Sequence, residues 1–255
     1  MKIVILTNRD LASQLALAYL VRDLHKHQLA IFVSESVGDA DAYPDALKQL
    51  AMFEQQAMNS LDVNFDQLAE IAGCKLQGFS DLDNRINSSE GVARIKDLSP
   101  DLIISVRFGL IIDQPVISIP RYGVINLHSG VLPQYRGVMA TFRAMLNGDS
   151  DIGSTLHYIS DKGVDTGDIL SIETRLLNPM HSYLLNVLHL YPQGCKQILQ
   201  AVSAVDDKRS LINRPQQGDA KYYSFPNSHE IEQFRRLGFR LYDPDELQLI
   251  KDLQL

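Results

Sequence analysis

Cysteine is scarce in this chain, and its two copies stand apart. Cys74 and Cys195 form no CxxC pair and have no adjacent histidine, so neither a disulfide scaffold nor a zinc ligand set is signalled; both thiols are expected to be buried. Long apolar runs are missing too. The longest, Leu15 to Val21, falls far short of the roughly 18 residues that cross a bilayer, so no membrane span is expected. The apolar stretch after Met1-Lys2 stops at Thr7-Asn8-Arg9-Asp10, too early for a secretory signal, and the expected location is cytoplasmic. Positive charge is in deficit, with 24 Lys and Arg against 31 Asp and Glu for a net charge of −7. That disfavours a large phosphate-neutralising surface, hence a nucleic-acid partner, and points to a small molecule. Gly (15) and Pro (10) are few beside 45% hydrophobic residues, which excludes disordered and low-complexity classes. A length of 255 residues suits one sizeable α/β core with a modest appendage.

Met1 to Leu6 alternates little and is rich in Ile, Val and Leu, as a central strand buried on both faces requires. Thr7 to Asp10 supplies helix-capping chemistry before Leu11, Leu15, Ala18 and Leu24, which recur at helical spacing. Further strands are expected at Leu29–Val33 and Asp101–Val106, a loop over Ser36–Pro44 and a turn over Leu82–Ser89. Helices are expected near Asp45–Ala57, Phe65–Ala72 and Gly91–Leu98. This alternation predicts a doubly wound, mostly parallel α/β sheet. Beyond it, strands at Val124–Leu127 and Gly153–Ile159, a paired strand at Ile169–Arg175, a turn at Tyr135-Arg136-Gly137 and a helix at Ala140–Leu146 are expected. A helical pattern over Ser182–Ala201 is interrupted at Pro192, as a kink or a break between two helices. Residues 1–204 read as one core; 205–255 read as a linker and a short extension that docks on it, too small to fold alone.

Asn126 and His128 are two apart on an expected strand, so their side chains share one side of it. Ser129-Gly130 and Leu132-Pro133 end that strand, and the carboxyl ends of strands are where open α/β sheets hold ligands. A carboxamide can hold a carbonyl oxygen, and an imidazole can stabilise the oxyanion formed when that carbonyl is attacked. Asp165 lies in the turn-rich run Asp161-Lys162-Gly163-Val164-Asp165-Thr166-Gly167-Asp168, whose glycines let the loop wrap and aim a carboxylate back at the histidine. A histidine at a strand end and an Asp-Thr-Gly-Asp turn are equally ordinary surface features. No GxGxxG follows the first strand, so a dinucleotide-dependent oxidoreductase lacks its phosphate-cradling turn.

The stretch Asn126-Leu127-His128-Ser129-Gly130-Val131-Leu132-Pro133-Gln134-Tyr135-Arg136-Gly137, followed by Gly153–His157 and Asp165-Thr166-Gly167-Asp168-Ile169-Leu170, resembles the folate-dependent formyltransferases. That family includes glycinamide ribonucleotide, methionyl-tRNA and sugar N-formyltransferases. The resemblance is strong over about residues 95 to 175, weaker before them and slight after 205. It implies a Rossmann-like core, 10-formyltetrahydrofolate as co-substrate and a primary amine as formyl acceptor. By the same resemblance Asn126 holds the formyl oxygen, His128 stabilises the oxyanion, and Asp165 orients a water and tunes His128, with no metal. A pterin pocket is implied around Phe108, Gly109, Leu110, Ile112, Ser160, Lys162 and Val164. Ser129, Gly130 and Arg136 are assigned to the acceptor, and His157 is a candidate support for Asp165. Arg107, Arg121, Arg143 and Lys162 are further candidates to meet a diphosphate or a glutamate tail.

Relatives often place Gly-Ser or Pro-Ser after the histidine, whereas this chain has Ser129-Gly130, which leaves the loop geometry open. Leu6 to Asp10 lacks the glycine-rich phosphate turn of the purine enzyme. Only about 50 residues follow the core, in an acidic chain, which disfavours a tRNA grip. The hydrolases that resemble this core carry a regulatory domain ahead of it. A nucleotide-linked amino sugar is therefore the leading acceptor, with methionyl-tRNA formylation, hydrolysis of the formyl donor and a catalytically degenerate folate-binding module as alternatives. Oligomeric state is left open, a homodimer included.

Overall fold

The structure, a computed structural model, describes residues 1–34, 43–79 and 85–253. The loop expected at Ser36–Pro44 and the turn expected at Leu82–Ser89 lie partly outside the described residues. In chain order come β1 (Lys2–Asn8), α1 (Leu11–Asp23), β2 (Gln28–Ser34), α2 (Asp45–Asn59), α3 (Phe65–Ile71), β3 (Leu76–Gly78), α4 (Ser89–Leu98), β4 (Leu102–Val106), α5 (Gln114–Ile117) and β5 (Val124–His128). They are followed by β6 (Arg136–Gly137), α6 (Ala140–Asn147), β7 (Asp151–Ile159), β8 (Ile169–Leu176), α7 (Tyr183–Leu188), α8 (Tyr191–Asp206), β9 (Tyr222–Tyr223), α9 (Ser228–Arg236) and α10 (Leu247–Asp252).

The main sheet runs β3-β2-β1-β4-β5-β7-β8. The five strands from β3 to β5 pair in parallel, and β7 and β8 extend the sheet antiparallel. Ile3 and Ile5 of β1 join one apolar cluster while Val4 and Leu6 join another. That division is why β1 has an unbroken apolar run: both of its faces are covered. The larger cluster draws residues from α1, α2, α3, α7 and α8, and the smaller one from α4 and α5. The sequence-based expectation of a mostly parallel α/β sheet therefore holds.

Several local expectations differ. The helical pattern around Pro192 is two helices, and Pro192 sits in the first turn of α8, where its missing N–H costs nothing. The expected turn at Tyr135–Gly137 contains β6, which pairs in parallel with β9; the partner lies too far along the chain for local pattern to reveal. β3, α5 and α10 were not foreseen, each being too short for a clear period. Cys195 is buried as expected, but Cys74 is only partly so. Residues after 205 pack onto the rest of the molecule. Phe234 stacks on Phe142 with ring centroids 4.4 Å apart, and Arg143 pairs with Glu230, donates to the Ser224 carbonyl and lies 5.0 Å over the Tyr223 ring.

Candidate active site

The chain leaves β1 for β2 and β3 on one side and returns to β4 on the other, so the topological switch lies between β1 and β4. The crevice at the carboxyl ends of such strands is where open α/β sheets bind ligands. Asp10 stands there, its Oδ1 accepting from the Ser13 N–H (2.8 Å) as the N-cap of α1. Its Oδ2 accepts from Arg107 Nε at 2.8 Å and from Asn8 Nδ2 at 3.2 Å. Arg107 follows β4 directly, so this ion pair ties the two strands at the switch point. Burial pushes the neighbouring Glu54 carboxyl up to about 7, with Asp10 raising it further and Arg107 opposing.

At the end of β5 the sheet brings Asn126 and His128 to one side, and the antiparallel register sets His157 of β7 opposite Asn126. The loop after β7 then returns Asp165 to both. Asn126 Nδ2 donates to His157 Nε2 (3.1 Å) and to Asp165 Oδ1 (3.5 Å). His157 Nε2 is 3.3 Å from Asp165 Oδ1, and His128 Nδ1 is 3.5 Å from Asp165 Oδ2. The Asp165 carboxylate also accepts from the Gly137 N–H, at Oδ2 and 2.8 Å. His128 is 8% exposed and the Asp165 side chain 9%.

These contacts settle tautomers. His128 Nε2 lies 2.6 Å from the Tyr135 carbonyl, and a carbonyl only accepts, so Nε2 carries a hydrogen. Nδ1 is the nitrogen that faces Asp165. His157 Nδ1 likewise donates to the Tyr158 carbonyl at 2.8 Å, leaving Nε2 for Asn126 or, when protonated, for Asp165. Burial alone would raise the Asp165 carboxyl, but His128, His157 and the Gly137 N–H outweigh it and hold the group down at about 2. Asp165 is therefore an anion at neutral pH despite its burial. Gly130 explains the Ser-Gly order after the histidine: a Cβ there would meet Ala140 Cβ at 2.4 Å and His128 Nε2 at 2.6 Å. Thr155 Oγ1, from β7, donates to the Gly130 carbonyl at 2.7 Å and accepts from the Leu132 N–H at 3.2 Å, bracing the loop.

A cavity of about 100 Å³ opens beside this cluster, lined by Phe108, Leu110, Ile112, Asn126, His157, Lys162, Val164 and Asp165 among others. Five of the residues expected at a pterin pocket thus meet at the polar cluster. The other two, Gly109 and Ser160, are near in sequence but differently engaged: the Gly109 N–H donates to Ser34 Oγ and the Ser160 carbonyl accepts from Gln114 Nε2. A larger cavity of about 420 Å³ adjoins the same loop through Gly130, Val131 and Tyr135; Asn126 and Asp165 line the smaller cavity, and His128 lines neither. Of the acceptor-side expectations, Ser129 follows His128 and its carbonyl accepts from Thr141 Oγ1 at 3.3 Å. Arg136 gives Nε and Nη2 to Gln216 Oε1 at 3.0 and 2.7 Å. Arg107 and Arg143 are taken up in ion pairs, and Arg121 lies over Tyr122. Sequence reasoning passed over Asp10, Thr155 and Gln216. Asp10 alone left a signal, as a helix cap directly after a central strand.

A carboxamide, an imidazole and a carboxylate thus converge at the strand ends of a mostly parallel sheet, beside a pocket with apolar walls at Phe108, Leu110 and Ile112. The formyl transferase family model matches residues 24–182, well over half of the chain, and the chain belongs to that family. The methionyl-tRNA formyltransferase of Clostridium beijerinckii is 35% identical over 134 residues, 52% of this chain and 42% of that one. The chain spans less than half the length of such curated relatives. Among solved structures, glycinamide ribonucleotide transformylase 1 from Symbiobacterium toebii matches with a TM-score of 0.64 at 14% identity, over 85% of this chain and 94% of that one. The N-formyltransferase from Helicobacter canadensis, solved with folinic acid and dTDP-3-aminofucose, matches with a TM-score of 0.56 at 16% identity, over 87% and 70%. Among the described residues, no helix is long and apolar enough to cross a membrane.

Proposed function

We propose that this chain transfers a formyl group from 10-formyltetrahydrofolate to a primary amine, with Asn126, His128 and Asp165 as the catalytic residues. The observation that carries the reading is the contact of both Asn126 and His128 with the Asp165 carboxylate, each at 3.5 Å, where Asn126 and Asp165 line a pocket walled by Phe108, Leu110 and Ile112. Apolar walls at Phe108, Leu110, Ile112 and Val164 beside a polar cluster suit a pterin ring, whose faces are apolar and whose edge pairs with donors and acceptors. Gly109, Ser160 and Lys162 complete that pocket in our reading. When bound, the folate supplies an activated formyl group on a nitrogen that can leave.

The long 3.5 Å bond from Asn126 Nδ2 to Asp165 can be exchanged for one to the formyl oxygen. In this reading His128, anchored through Nε2 at the Tyr135 carbonyl and set beside Asp165 through Nδ1, stabilises the negative charge that develops on that oxygen. Asp165, held ionised, is the base beside it and relays, directly or through a water, the proton the amine loses on forming its new bond to the formyl carbon; the bond from that carbon to the folate nitrogen then breaks, and the departing nitrogen takes up a proton as tetrahydrofolate leaves. Ser129, Gly130 and Arg136 stand on the acceptor side. A nucleotide-linked amino sugar is our leading acceptor, recognised as a small molecule. The likeness in sequence to methionyl-tRNA formyltransferases favours a second reading, the α-amino group of an aminoacyl-tRNA.

The experiment is incubation with 10-formyltetrahydrofolate and, in separate arms, nucleotide-linked amino sugars, methionyl-tRNA and no amine, with products read by mass spectrometry. A formamide in one arm identifies the acceptor class; formate without amine indicates hydrolysis, and folate binding without product a degenerate module. Asn126→Ala, His128→Ala and Asp165→Ala should each nearly abolish turnover in a folded protein. A fully active His128→Ala chain would overturn the mechanism.

A further inference from the structure

In the stretch 212–222, where its neighbours are exposed, Gln216 is the one partly buried residue. Its amide is fully used. Both Nε2 hydrogens are donated, to the Asp165 and Gly167 carbonyls, each at 2.8 Å. Both Oε1 lone pairs accept, from Arg136 Nε and Nη2. Four bonds exhaust what a glutamine side chain can make, and reversing the amide would set donors against the guanidinium and oxygen against carbonyls, so its orientation follows from the network.

The backbone around Gln216 is tied at both ends. Arg214 and Ile169 exchange backbone hydrogen bonds of 2.8 and 2.9 Å at the start of β8. Lys221 donates to the Pro133 carbonyl at 3.3 Å, and its own carbonyl accepts from the Arg136 N–H at 3.0 Å. The segment therefore bridges the loop that follows His128 and the loop that carries Asp165. Asp165 itself has φ of +54°, in the left-handed region that residues with a side chain seldom adopt. Such a conformation persists only where the surroundings over-determine it. The Gly137 N–H grips the Asp165 carboxylate from the Arg136 side while Gln216 grips its carbonyl and the next turn.

We infer that Gln216 is a positioning residue for the proposed formyl transfer: it clamps the Asp165–Gly167 turn to Arg136 and so sets the placement of the Asp165 carboxylate against His128. This makes the region after residue 205 part of the machinery of the site as well as of the fold. The inference rests on the formyl-transfer reading for its kinetic test and on geometry alone for its spectroscopic one.

The test compares Gln216→Ala and Gln216→Glu, each alone and combined with Asp165→Asn. The glutamate variant keeps the shape and the oxygens that receive Arg136, but removes both donors. A small displacement of a reacting group costs on the order of 10²-fold, so both single variants should lower kcat by about 10- to 100-fold with little change in KM for the folate. Neither should lower it further in the Asp165→Asn background, because a residue acting through Asp165 has nothing left to place. Independently of turnover, the Asp165 carboxyl resonance in carbon-labelled protein should titrate upward from about 2 in Gln216→Ala. A Gln216→Glu chain as active as the parent, losses that multiply with Asp165→Asn, or an unmoved carboxyl titration would each overturn the inference. A chain that formylates no amine yet shows the carboxyl shift would sink the proposed function and leave the clamp standing.

Discussion

Replacing Asp165 by asparagine removes a charge at nearly constant shape, so its effect on stability can be worked from the site. In the folded chain burial opposes ionisation of this carboxyl, and the two histidines with the Gly137 N–H more than offset that, moving it from 3.8 to about 2. Each unit is worth about 1.4 kcal/mol, so the carboxylate contributes roughly 2.5 kcal/mol. Because the folded value lies below the unfolded one, the unfolded chain takes up the proton first as pH falls. The contribution is thus whole above about pH 5 and lost progressively on the way down to pH 2, with about 1 kcal/mol already gone at pH 3. Urea unfolding of parent and Asp165→Asn at a series of pH values between 6 and 2.5 measures this directly. The parent should lose stability faster than the variant by that amount, since the variant has no carboxyl to titrate. Parallel loss in the two proteins would refute the reasoning, showing that Asp165 is not held ionised by these neighbours. The same variant should lose about 10²-fold or more in kcat if the carboxylate is the base.

Gly130→Ala should destabilise the chain by about 1–3 kcal/mol and displace His128, because the new methyl overlaps Ala140 Cβ and His128 Nε2; thermal unfolding and turnover both report it. Asp10→Ala removes the cap of α1 and strips Arg107 of its partner, for about 2–3 kcal/mol, whereas Asp10→Asn, which keeps the cap, should cost less. Phe234→Ala should cost about 3–5 kcal/mol in denaturant unfolding, since the ring is fully buried and stacked on Phe142; a loss under 1 kcal/mol would mean that the segment after 205 is not docked as described. Burial pushes both thiols up, Cys195 most strongly, so a thiol reagent should label Cys74 first in native protein and Cys195 only on unfolding.

Much of the sheet was legible because its cause is local. A strand covered on both faces is mostly apolar without alternation, and Ile3–Leu6 of β1 and Leu102–Ile104 of β4 announce themselves that way. Asn126 and His128 could be placed on one side of β5 from the two-residue period of a strand alone. Pro192 was seen as an interruption, but whether the helix kinks or restarts depends on α7 and α8 packing as separate helices. β3 stayed hidden because three residues at a sheet edge carry no period, and β6 because its partner β9 is supplied by a distant segment.

The sequence by itself determined the alternation of the longer strands and helices, the pairing of a carboxamide and an imidazole at a strand end, and the family to which that motif belongs. Only the tertiary structure decided that Asp165 reaches them, that the β5–β7 register brings His157 beside Asn126, that Gly130 must be bare where His128 turns, and that Gln216 closes the network from the far end of the chain. The division has one physical reason. Side-chain direction follows from backbone period over a few residues, whereas hydrogen bonds between remote groups depend on register and loop path, which the chain acquires only when its buried faces meet.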